Sequence, residues 1–276
     1  MKSSNPVFNR SEEFNRASSN QTYAGGGQTY PGYGEAPGQV DGSGGRMTVD
    51  SVVQKTAISL AVVFATAFAT WWWIGDIIDV NTVDQDAWGR ALTLSMVGAG
   101  LAFGLSLANS FKKVISPALV LAFAAAEGVA LGAISKVFDA QFGDGIVTQA
   151  VLGTFAAFAG TLAAYKFFDI KVGNKFRTFV IAGMFGMVGL GLLSLVLSFF
   201  GINTGLFGFG ALGLIMAIAG LVLGVFMLIL DFDFVENGVA AGLPDRESWR
   251  AAFGLTVSLV WIYTNLLRIL AIIRGD

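Results

Sequence analysis

The residues best placed to do chemistry in this chain are carboxylates in apolar company. Asp231, Asp233 and Glu236 fall within Leu230-Asp231-Phe232-Asp233-Phe234-Val235-Glu236, directly after a long apolar run, and Glu127 stands alone inside another. Acids in such settings hold protons or bind cations. The residue types that are absent narrow the chemistry further. The chain has no cysteine and no histidine. Disulfides, thiolate nucleophiles, His-dependent triads and the usual zinc and haem ligands are thereby excluded. Proton-linked behaviour would rest on carboxylates, tuned by burial in a low dielectric. Any metal site would be built from oxygen, which favours calcium or magnesium over zinc or copper. Calcium at Asp231 and Asp233 is the metal expectation, as a passing ion, with no resident cofactor. Enzyme signatures are missing as well. A rhomboid-like protease needs a histidine, a zinc protease His-Glu-x-x-His, and no Gly-x-Gly-Asp motif of an intramembrane aspartyl protease occurs. Gly143-Asp144-Gly145 reads as a turn, so no enzymatic activity is expected.

The elements that must hold these acids are membrane helices. The chain has 276 residues, of which 54% are hydrophobic and only 13% charged, against about 25% charged in a soluble domain. So little polar surface cannot cover a water-soluble body of this size, and the remainder must face lipid. A net charge of −2 gives no electrostatic case for nucleic acid. Residues 1–50 are rich in Gly, Ser, Asn, Gln and Pro, with Gln-Thr-Tyr starting at Gln21 and again at Gln28. Such a stretch buries too little apolar surface to offset its conformational entropy, so a disordered tail is expected, with no cleavable signal peptide. From 51 to 276 the chain reads as one all-α, polytopic membrane domain. Seven runs are long enough to cross about 30 Å of hydrocarbon: 57–74, 91–110, 116–138, 147–168, 178–200, 206–230 and 251–273.

Loop charges give an orientation. Arg46, Lys55, Lys112, Lys113, Lys166, Lys171, Lys175, Arg177, Arg246 and Arg250 fall on the side of the N-terminus, and only Arg90, Lys136, Arg268 and Arg274 on the other. The loop after the first span carries Asp76, Asp79, Asp84 and Asp86. The N-terminus is therefore expected in the cytoplasm and the C-terminus outside. Trp71, Trp72 and Trp73 then anchor the first span at the opposite interface. The pairs Gly100/Gly104, Gly128/Gly132 and Gly220/Gly224 have GxxxG spacing, and Gly183, Gly186, Gly189 and Gly191 add to it. Such spacing is expected to serve helix packing inside the monomer.

Depth sharpens the case for the acids. Glu127 lies near the midplane of the third run, where a charge costs at least about 2.5 kcal/mol. It must be neutral, paired or facing a wet cavity, and a protonated Glu bonded to a neighbouring helix is the bland alternative. If the sixth helix continues past Leu230, Asp233 and Glu236 share a face at i, i+3 while Asp231 points elsewhere. An ordinary acidic rim is the competing reading, strongest for Glu236. In the last run Ser258 and Thr264 are weak signals, since such hydroxyls often bond their own helix. Asn265 and Arg268 share a face, and Arg268 is expected to snorkel.

Several segments resemble the Bax inhibitor (TMBIM) family. Ala126-Glu127-Gly128-Val129-Ala130-Leu131-Gly132 is similar to its glutamate-containing third span, and Gly145-Ile146-Val147-Thr148-Gln149-Ala150 with Thr154 to the start of its fourth. Asp231 after a long apolar helix, a short amphipathic loop and a last span ending Leu266-Leu267-Arg268-Ile269-Leu270 complete the pattern. The opening Met1-Lys2-Ser3-Ser4-Asn5-Pro6-Val7-Phe8 resembles the actinobacterial branch. The resemblance implies a seven-helix fold with the last helix central, and a pH-sensitive cation leak, usually of calcium, in the bacterial cytoplasmic membrane. It further implies two carboxylates sharing a proton, one ending span six and one in span seven. Asp231 matches the first, but Ser258 stands where the second is expected. A sensor would then draw on Asp233, Glu236 or Glu127. Partners expected are the lipid bilayer and calcium or other cations. The alternative is a non-conducting regulator that contacts a membrane protease or a stress-response protein; a solute transporter has no positive support.

Overall fold

The computed structural model describes residues 45–79, 82–143, 145–168 and 170–275. Most of the expected tail, with its Gln-Thr-Tyr repeats, and Asp144 of the expected turn lie outside the described residues. Seven helices follow in order: α1 Val49–Ile74, α2 Gln85–Phe111, α3 Pro117–Phe142, α4 Ile146–Phe167, α5 Asn174–Phe199, α6 Ala211–Ala240 and α7 Glu247–Gly275. All seven are long and apolar enough to span a membrane. A two-residue hairpin, β1 Ile78–Asp79 with antiparallel β2 Thr82–Val83, joins α1 to α2.

Local sequence explains the ends. α1 begins in a capping box, with Thr48 Oγ1 accepting from the Ser51 amide at 3.0 Å and Ser51 Oγ from the Thr48 amide at 3.1 Å. Asp84 caps α2 by accepting from the amides of Asp86 and Ala87. Pro117 opens α3, where its missing N–H costs nothing. Gly143 and Gly145, both at φ 87°, turn the chain into α4.

Most helices outrun their expected spans at one end or both, and two of these extensions bear on the site and its caps. α6 reaches Ala240, ten residues past Leu230, so the acidic motif lies on a helix and not in a rim loop. Nothing in 231–240 forces a stop; the break waits for Gly242 at φ 64° and Pro244. α2 starts at Gln85, six residues before the expected 91, because Asp84 supplies the cap.

The end of the bundle holding the start of α1 is called proximal here, and the other distal. α7 is central: it packs on α1, α3, α4 and α6. α2 lies outside against α3, and α5 leans on α6, with only Val180 and Met187 buried. Lipid-facing rings crowd the rim, Phe68, Trp72 and Phe185 each being more than 70% exposed. No water-soluble surface presents aromatics so freely.

The chain before α1 belongs to the packed body from Gly45 onward. The Met47 amide donates to the Leu243 carbonyl at 2.7 Å, and the Asp245 amide to the Gly45 carbonyl at 2.8 Å. Met47 is buried with Val52, Leu228, Phe232, Leu243, Ala251, Leu255, Leu259 and Ile262. Lys55 Nζ donates to Asp245 Oδ2 at 2.6 Å, and the hydroxyls of Ser51 and Ser248 meet at 2.7 Å. Residues 45–55 are thus clasped to the α6–α7 turn.

Candidate functional site

The α6–α7 contact builds the site. Asp231 extends the last apolar turns of α6 and faces α7, where Ser258 Oγ donates to its Oδ2 at 2.5 Å. Ser258 is fully buried. Four residues earlier, Gly254 makes room for the carboxylate: a Cβ there would stand 2.9 Å from Asp231 Oδ1. Leu228 and Phe232 beside Asp231, and Leu255 and Leu259 beside Ser258, join the cluster that Met47 and Leu243 close on the proximal side. The carboxylate is partly buried, beside this apolar cluster.

The other acids take different partners. Asp233 Oδ2 accepts from Arg177 at the start of α5, at 2.7 Å. Glu236 Oε2 accepts from Tyr165 near the end of α4, at 2.6 Å. Asp233 and Glu236 are thus divided between α5 and α4, although their spacing suggested a common face. Glu127 sits on α3 between contacts to two other helices. A Cβ at Gly128 would fall on Thr66 and the Val63 carbonyl of α1, while Ala126 and Ala130 crowd Gly98 of α2. Among the described residues, no hydrogen bond or ion pair joins Glu127 to another side chain.

This geometry does not support the expectation that Asp231 and Asp233 jointly ligate calcium. One carboxylate faces α7, and the other is engaged by a guanidinium from α5. Among the described residues no three acids gather as a metal site, whereas a resident calcium takes 6–8 oxygen ligands. A passing cation would meet one carboxylate at a time. Chemically, the Asp231–Ser258 pair can hold or release one proton, or lend a carboxylate and a hydroxyl oxygen to a cation.

Outside the spans, the hydrogen bond from Lys55 holds the Asp245 carboxyl below the usual carboxylate range, with smaller help from Ser51 and Ser248. At the distal end Arg268 lies 5.2 Å from the Phe207 ring, and Arg274 donates to the Phe142 and Gly143 carbonyls.

Sequence reading missed Gly254, Met47 and two donors, Arg177 and Tyr165. Gly254 and Ser258 did carry a signal, since i, i+4 spacing puts a gap and a hydroxyl on one face. Arg177 was legible only as a loop charge. Against this geometry, a family model described as Bax inhibitor 1 like matches residues 5–275. The chain belongs to the Bax inhibitor 1-like family. No curated protein matches it. In this Bax inhibitor-like chain, Ser258 does occupy the place facing Asp231, so a carboxyl–hydroxyl pair stands where the resemblance implied two acids.

Proposed function

We propose that this protein is a cation leak of the cell membrane, with calcium as the permeant ion and Asp231 as the group that gates it. The observation that carries the reading is the Asp231 carboxylate held inside the bundle by Ser258. Ion pathways through helical membrane proteins are marked by ionisable groups at such places. Hard oxygen ligands suit calcium, and protonating them weakens its hold. The N-terminus is placed in the cytoplasm on the strength of the loop charges. The reaction is passive and calls for no enzymatic step.

A second reading is favoured by one feature. The remaining acids of the motif are engaged by Arg177 and Tyr165, and the partner of Asp231 is a hydroxyl. A protein built this way would serve as a non-conducting regulator of a membrane protease or stress-response partner. Liposomes carrying a trapped calcium dye separate the two. The native protein is expected to admit calcium in a pH-dependent manner, Asp231→Asn to lose that dependence, and Ser258→Asp to steepen it by adding a second titrating acid. Flux at the empty-liposome level for all three, across the pH range, would sink the leak and leave the regulator.

A further inference from the structure

The helices α1 and α4 scarcely touch. Between them runs a groove of about 370 Å³, floored by α3 and α7. Its walls are apolar: Leu60, Val63 and Ala67 of α1, Leu131 of α3, Val151 of α4 and Val260 of α7. Apart from Thr154, whose hydroxyl donates to the Ala150 carbonyl of its own helix, polar groups gather at one end. There Trp71, Ser135, Asp139 and Thr148 line it, and Ser135 and Tyr263 share a hydrogen bond of 2.6 Å. That end is the distal one, since Trp71 closes α1 and Thr148 opens α4.

Length and polarity identify what fits. The lining on α1 runs from Leu60 to Trp71, about 16 Å at 1.5 Å per residue. That is roughly half of a 30 Å hydrocarbon core. The groove therefore spans one leaflet, apolar at the depth of the chain ends and polar at the depth of the headgroups. Its mouth is narrow: Phe64 and Phe155 stack across it with centroids 6.3 Å apart, each 46% exposed. A helix of about 10 Å diameter could enter only by spreading α1 and α4, whereas a polymethylene chain needs only the two rings to turn aside.

We propose that this groove binds one acyl chain of a membrane phospholipid from the distal leaflet, with Phe64 and Phe155 as its lateral gate. The site makes no use of Asp231 and is independent of ion flux. The occupant is a structural lipid held more firmly than the surrounding annular lipid.

The test is native mass spectrometry of protein purified from membranes and exchanged through a delipidating detergent. The native protein is expected to retain one phospholipid per chain. Val151→Trp, which fills the groove, should lower occupancy at least tenfold. Leu152→Trp, a neighbour 63% exposed to lipid, should leave it unchanged. Phe155→Ala, which opens the gate without filling the groove, should lose the lipid at a lower detergent concentration and serves where Val151→Trp does not fold. Retention of detergent alone by the native protein would overturn the proposal. So would equal phospholipid occupancy in folded Val151→Trp or unchanged release from folded Phe155→Ala.

Discussion

A single carboxylate behaves according to what faces it, and Asp231, Asp233 and Asp245 show three environments within fifteen residues of chain. Asp231 meets a hydroxyl, Asp233 a guanidinium and Asp245 an ammonium. Only Asp245 lies beyond the spans, and there the sign of its pH dependence follows directly. Its carboxyl titrates lower in the folded protein than in the unfolded chain. The stabilisation is therefore complete above the ordinary Asp value of about 3.9 and fades as pH falls through the lower folded value. With side chains 12% and 34% exposed, the Lys55–Asp245 pair contributes no more than about 1 kcal/mol. Thermal unfolding in detergent should show Asp245→Asn slightly less stable than the native protein at pH 7, with the gap narrowing as the pH falls below the ordinary Asp value. A gap that stays constant would assign the effect to packing. At this scale the sequence was a partial guide. Asp231 stood out because a charge after a long apolar run is costly. Its neighbours could not be read, because Arg177 reaches Asp233 only if α6 continues and α5 begins alongside it.

Helices meet through their backbones where glycine allows, and the same spelling has different outcomes in different places. Gly128 and Gly132 of α3 lie against α1: a Cβ at Gly132 would collide with the Ala67 carbonyl. Gly220 and Gly224 of α6 lie against Asn265, Trp261 and Ile262 of α7, where Trp261 Nε1 also donates to the Gly220 carbonyl at 2.8 Å. Gly100 and Gly104 of α2 have open space where a Cβ would be added. Gly132→Val should therefore cost roughly 1–3 kcal/mol through overpacking. Gly100→Ala should be neutral or slightly stabilising, since alanine is the better helix former. Unfolding of the two variants in denaturant-titrated micelles checks this, and equal stability would count against the close α1–α3 contact. GxxxG spacing in the sequence thus marked two real interfaces and one open face. Nothing in the motif tells them apart, because the partner helix is remote in sequence. Element ends were misjudged for a related reason. Hydropathy reports where lipid ends, whereas Asp84, Gly242 and Pro244 decide where hydrogen bonding ends.

For the whole molecule, the number and order of the spans were legible in advance, because continuous apolar runs of this length admit no other use, whereas the central place of the last helix followed only from the family resemblance. An odd number of spans would put α1's start and α7's end on opposite sides of a bilayer, and the Lys and Arg excess predicts a cytoplasmic proximal face. A reporter fused after Asp276 that is active only outside the cytoplasm should be active, and one fused before Met1 silent. The reverse pattern would invert the molecule, and matching signals at both ends would break the seven-span count. The clasp at the proximal face has a mechanical consequence. Residues 45–47 join the α6–α7 turn by main-chain hydrogen bonds, and Met47 plugs the cluster that adjoins Asp231 and Ser258. Gly45 is consequently a fixed point of the packed body. A pull applied there would load the α6–α7 turn through two main-chain hydrogen bonds before it loaded any of the helices.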